Sequence, residues 1–136
     1  MIDRDLILAK IDSIQRCLTR IESKTKGQPK SLKDLDVQDI FVLNLQRGIQ
    51  TAIDLANHIL AAKNLGIPKT LKESFELLRT HGIISDTLEK RLGKMVGFRN
   101  IAIHEYQVIK EEILESILKD HLQDLRDFAR DVSKIL

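Results

Sequence analysis

The segment Gly97-Phe98-Arg99-Asn100-Ile101-Ala102-Ile103-His104-Glu105-Tyr106 sets an arginine, a histidine and a tyrosine into otherwise apolar surroundings at fixed spacing. A guanidinium is a permanent positive charge on a planar fork that suits phosphate or carboxylate oxygens, and an imidazole takes or gives a proton near neutral pH. Read as one helix of 3.6 residues per turn, Arg99 and Tyr106 lie seven apart on one stripe, and Asn100 and His104 lie four apart on another. Met95, Val96, Phe98, Ile101, Ala102, Ile103, Val108 and Ile109 cover most of the remaining circumference, the pattern of a helix buried in a bundle or at a subunit interface. Polar groups in such a place need partners or a ligand.

A second polar set lies upstream. Arg47, Gln50, Asp54 and His58 follow at intervals of three, four and four, so all four project from one narrow stripe of a helix. That stripe is either a solvent-facing edge or the wall of the cleft that holds Arg99, and in the second case Asp54 and His58 stand close enough for a contact one turn apart.

Helices account for nearly the whole chain, and no period-2 strand is evident. Ile7, Ile11, Ile14, Leu18 and Ile21 form the seam of an amphipathic helix from about Asp3 to Ser23. Lys24 to Leu35 contains Gly27, Pro29 and four lysines (Lys24, Lys26, Lys30 and Lys33) and reads as a solvated loop, with steering of an anionic ligand as the sharper alternative. Asp34 or Asp36 caps a second helix that continues to about Lys63 and is the most apolar of the set. Thr70-Leu71-Lys72-Glu73 is a capping box in which Thr70 and Glu73 satisfy each other's backbone donors, opening a short helix that ends at His81-Gly82. Ser85 starts the helix that carries Arg99, with Asp86 in its first turn; Gly93 and Gly97 either admit a close neighbour or weaken it. A last helix from about Ile109 to Ile135 presents Leu114, Leu118, Leu122, Leu125, Phe128, Ala129 and Val132 to the core. Four long helices and one short one predict an all-α antiparallel bundle over residues 1–136, a single domain by length.

Composition removes several function classes. The balance of 22 basic and 20 acidic residues gives a net charge of +2, so any binding to a phosphate backbone is local rather than global. Cys17 is the only cysteine, which forbids an intramolecular disulfide, fits a reducing compartment and reads as packing. No basic-then-apolar leader follows Met1, and the least charged run, Ile40 to Ala62, is interrupted by Arg47, Gln50, Asp54 and His58; a cytoplasmic protein without membrane spans is expected. His81 suits a helix end and His121 a boundary position; four dispersed histidines show no zinc spacing, no carboxylate cluster suits a two-metal nuclease, and no Gly-rich phosphate loop is present. Neither metal nor cofactor is expected.

The run Gly-Phe-Arg-Asn-Ile-Ala-Ile-His-Glu-Tyr resembles the signature of the HepT-like branch of the HEPN domains: arginine, four residues, histidine, one residue, tyrosine. The order of helices, the apolar second helix with its Gln50, Asp54 and His58, and the Gly-Phe lead-in extend the likeness over most of the chain. The resemblance implies a homodimeric, metal-independent ribonuclease toxin paired with a small MntA-like nucleotidyltransferase antitoxin that adenylylates the motif tyrosine. Carried over by position, Arg99, Asn100 and His104 are the nuclease residues and Tyr106 is the modification target.

The residue types suit that chemistry. RNA is cut without a metal when its own 2′-hydroxyl attacks the adjacent phosphorus, so the enzyme has only to move protons and stabilise a more negative transition state. His104 can do the first, a role worth about 10²- to 10⁴-fold, and Arg99 the second. Asn100 either fixes the tautomer of His104 or holds the phosphate. Five residues rotate a helix by about 140°, so Arg99 and His104 of one chain diverge, whereas two copies meeting across a two-fold axis bring both into one composite cleft. AMP on Tyr106 would then block by bulk and charge where RNA phosphates sit. Two other classes stand beside this one: a non-catalytic helical subunit that serves a separate nucleotidyltransferase, and a structural bundle.

Overall fold

A computed structural model describes residues 2–106 and 109–136, and every element in it is helical. Helix α1 spans Arg4–Thr25, α2 Leu35–Lys63, α3 Leu71–Thr80, α4 Asp86–His104, α5 Glu111–Asp120 and α6 Leu122–Ser133, with a 3₁₀ turn at Pro29–Lys33. The boundaries follow local chemistry. Asp3 accepts from the Leu6 N–H (3.1 Å), Asp34 from the N–H groups of Asp36 and Val37, and Ser85 from the Leu88 N–H (3.1 Å), each satisfying donors that a helix start leaves open. At the far end of α3, Gly82 takes a φ of +76°, and the Ile83 N–H returns to the Leu78 carbonyl.

Three details depart from the sequence expectation. The capping box is only half formed: Thr70 Oγ1 accepts from the Glu73 N–H, but the Glu73 carboxylate turns to the Lys69 N–H, one residue earlier than expected. The loop from Lys24 to Leu35 contains the short 3₁₀ turn, whose Leu32 is fully buried. The last helix is two, α5 and α6, broken at His121, so the described residues form six α-helices rather than five. Its break has a tertiary cause: Asp124, only 1% exposed, draws His121 Nδ1 to 3.2 Å and Arg91 of α4 to 3.6 Å.

Helix α2 is the central element and packs on α1, α3, α4 and α6. Phe41, Leu45, Ile49, Ile53, Leu55 and Ile59 along it are fully buried, each contributing about 1.5–3 kcal/mol of transfer free energy. Phe75 and Phe128 meet edge to face at 5.6 Å in the same core. At Gly48 the neighbours come so close that a Cβ would lie 3.3 Å from Leu125 Cδ1 and 3.7 Å from Cys17 Cβ. This close seating of α1 and α6 holds α2 rigid where its polar stripe faces α4. Among the described residues, no helix is long and apolar enough to cross a membrane.

Candidate active site

Arg99 leaves α4 and reaches α2. Its Nη2 donates to Gln50 Oε1 at 2.5 Å and its Nη1 to the side-chain carbonyl of Asn100 at 2.9 Å, while Nε is enclosed without a partner. Gln50 in turn donates through Nε2 to Asp54 Oδ1 at 2.9 Å. A guanidinium on a flexible stem is thus fixed by a chain of four polar side chains, Asp54, Gln50, Arg99 and Asn100, drawn from two helices. The Arg99 side chain is half-buried, and beyond these two bonds Nη1 and Nη2 each keep one further N–H.

The α2 stripe divides. Gln50 and Asp54 belong with Arg99. Arg47 does not; it lies in a groove between α1 and α2 together with Arg16, Cys17 and Arg20. The expected contact between Asp54 and His58 is absent, because Asp54 is held by Gln50, and the half-buried His58 keeps an enclosed Nε2 without a partner.

His104 is the last residue of α4 and is exposed. Among the described residues nothing joins it to Arg99, in keeping with the rotation of about 140° between them. Asn100 gives its acceptor to Arg99, which leaves its Nδ2 donors for either of the two roles open to it. The apolar circumference is likewise split: Met95, Val96, Phe98 and Ala102 are buried, but Ile101 and Ile103 are 47% and 46% exposed on either side of the His104 turn. Ile109 is half-buried, and Val108 lies outside the described residues.

Tyr106 corrects the one-helix reading of the motif. Helix α4 ends at His104, and Glu105, with φ −140° and ψ 48°, turns the chain, so Tyr106 does not continue the Arg99 stripe. Its hydroxyl instead donates to Asp39 of α2. Burial, joined by the Asp39 hydrogen bond and negative charge, pushes the phenol up to about 12. Asp39 was not singled out by the sequence, although the signal is there: it precedes Gln50 by eleven residues, close to three full turns, and so shares its face of α2 about 16 Å away along the axis. Arg99 and Tyr106 are thereby both anchored to one face of one helix.

An all-helical bundle with an Arg–Asn–His–Tyr run at the end of one helix defines a class, and comparison with known proteins places the chain within it. The sequence model of the ribonuclease HepT-like family matches residues 14–132, and the chain belongs to that family. It is 41% identical over 130 residues to the mRNA nuclease HepT of Shewanella oneidensis, covering 96% of this chain and 97% of that one. It is 30% identical over 92 residues to the tRNA nuclease HepT of Aphanizomenon flos-aquae, covering 68% of this chain and 63% of the relative. Among solved structures, the tri-AMPylated Shewanella oneidensis HEPN toxin in complex with its MNT antitoxin superposes with a TM-score of 0.90 at 39% identity, covering 97% and 99% of the two chains.

Proposed function

We propose that this chain, acting over residues 1–136 as one HEPN-like domain, is the endoribonuclease toxin of a toxin–antitoxin pair and works as a homodimer in the cytoplasm. The observation that carries the proposal is the divergence of its two reactive side chains: Arg99 is held against α2 by Gln50 and bonded to its neighbour Asn100, while His104 stands exposed at the end of the same helix beside Ile101 and Ile103. A second copy packed on that apolar surface would place its own His104 opposite this Arg99. Kinship to nucleases along nearly the full chain supports the assignment.

In the composite cleft the ribose 2′-oxygen attacks the adjacent phosphorus while His104 takes its proton. The P–O bond to the 5′-oxygen breaks, that oxygen takes a proton from water, His104 later returns its own proton to solvent, and a cyclic phosphate and a free 5′-hydroxyl remain. Arg99 neutralises the charge that builds on the phosphoryl oxygens, and because Gln50 and Asp54 hold it beforehand, little reorganisation is needed at that moment. Asn100 steadies the guanidinium and lies beside the same oxygens.

The antitoxin partner would be an MntA-like nucleotidyltransferase that joins AMP to the Tyr106 hydroxyl. A tri-AMPylated relative supports this target class. Since Tyr106 and Arg99 are anchored about 16 Å apart on α2, more than one AMP would extend the blocking charge toward the guanidinium.

The test is cleavage of an all-RNA oligonucleotide in excess EDTA by wild type, with none of the same strand carrying deoxyribose at the cut. His104→Ala should fold and lose the cutting. Stoichiometric nucleotide binding with no cleavage would instead favour the non-catalytic subunit.

A further inference from the structure

A second polar surface adjoins the Arg99 site. Between α1 and α2 runs a groove of about 390 Å³ lined by Ser13, Arg16, Cys17, Arg20, Arg47, Gln50 and Thr51. Three guanidiniums meet in it and no carboxylate does. Arg16 has only an exposed pairing with Asp12 at 2.8 Å, a contact worth little and readily exchanged. Arg20 and Arg47 have no carboxylate within ion-pair distance among the described residues. Both act on the buried Cys17 thiol at the groove floor, pulling back against the burial that pushes it up, so the two charges converge over one spot. In a chain of net charge +2, a cluster in which two of three guanidiniums lack a carboxylate partner is a local concentration of positive potential.

We propose that this α1/α2 groove, through Arg16, Arg20 and Arg47, binds the phosphate backbone of the RNA strand next to the linkage being cut. The proposal rests on the ribonuclease reading above and adds a binding track to it. Continuity carries it: Gln50 lines the groove and at the same time holds Arg99, so a strand seated on Arg47 leads directly to the catalytic guanidinium. The lining also selects among partners. Protein interfaces centre on buried aromatic or aliphatic anchors, and this groove has none, whereas backbone binding needs only cations and hydroxyls such as Ser13 and Thr51.

The probe is a fluorescent single-stranded RNA made uncleavable by 2′-O-methylation, bound to the full chain over a range of salt and followed by anisotropy. The double variant Arg20→Gln/Arg47→Gln should lose about tenfold or more in affinity at low salt, and the slope of log affinity against log salt should fall by about 1.4, or roughly 0.7 for each charge removed from a single-strand site. Arg20→Lys/Arg47→Lys should keep the slope, and Arg130→Gln, outside the groove on α6, should keep both affinity and slope. Binding by the Gln double variant within twofold of wild type at unchanged slope overturns the proposal, as does an equal loss in Arg130→Gln. Weakened binding of the nucleotidyltransferase with unaltered RNA binding also overturns it and makes the groove a protein contact. His104→Ala separates this inference from the ribonuclease reading: it should bind the probe with the wild-type slope, and cutting by His104→Ala at the wild-type rate would refute the catalytic assignment while leaving the groove test intact.

Discussion

Arg99 carries the charge that the proposed reaction needs, and its two hydrogen-bond partners explain why an arginine and not a lysine stands there. Its planar fork bonds Gln50 and Asn100 at once, which a point charge cannot reproduce. Arg99→Lys is expected to fold normally and lose about 10²- to 10³-fold in kcat, the cost of removing one preorganised donor. Gln50→Ala acts through Arg99, so its loss should fall on kcat more than on KM; an equal loss in both would make Gln50 a substrate contact instead. Tyr106 offers a clean optical test because it is the only tyrosine in a chain without tryptophan. Its phenolate should appear with a midpoint near 12 in the native protein, and Asp39→Asn should bring that midpoint down toward the ordinary value of about 10. The sign for stability follows: the folded state holds the proton more tightly, so the contribution of this contact is present below about pH 10 and is lost as pH rises through about 12. A wild-type midpoint near 10 would remove the Asp39 contact from the account.

The helices that position these residues were legible wherever local chemistry fixes them. Asp3, Asp34, Thr70 and Ser85 all cap as their residue types demand, and the apolar seams of α1 and α2 are buried as their spacing requires. What was hidden depends on partners remote in sequence. The apolar rhythm from Leu114 to Val132 runs through His121 without a break, and only the pull of the buried Asp124 on His121 and Arg91 ends one helix and starts the next. Likewise nothing between Arg99 and Tyr106 is a helix breaker; the helix stops where Tyr106 turns to Asp39, a residue 67 positions earlier. Two variants test the element scale. Ser85→Ala, which removes the cap of α4, should cost about 1 kcal/mol and lower the melting temperature by roughly 3–5 °C. Gly48→Val should destabilise by about 1–3 kcal/mol, because its side chain would press on Leu125 and Cys17 at the tight crossing of α1, α2 and α6.

For the whole molecule, the motif was visible in the sequence as a set of residue types, but its division of labour was not. The stripe of Arg47, Gln50, Asp54 and His58 could be a solvent-facing edge or a cleft wall by sequence alone; in the fold Gln50 meets Arg99, Asp54 meets Gln50, and Arg47 lines the α1/α2 groove. Ile101 and Ile103 are exposed on a single chain; if they form the proposed dimer contact, Ile101→Asp/Ile103→Asp should sediment as a folded, inactive monomer where wild type sediments as a dimer. The central claim is that Arg99 and His104 cooperate across two protomers, and it is tested most directly by complementation. Arg99→Ala and His104→Ala chains, each inactive alone, are co-expressed with different tags, the heterodimer is isolated, and RNA cutting is measured. One intact Arg99 would then face one intact His104, restoring about half of the wild-type rate per dimer. A heterodimer as inactive as its two parents would contradict the composite cleft.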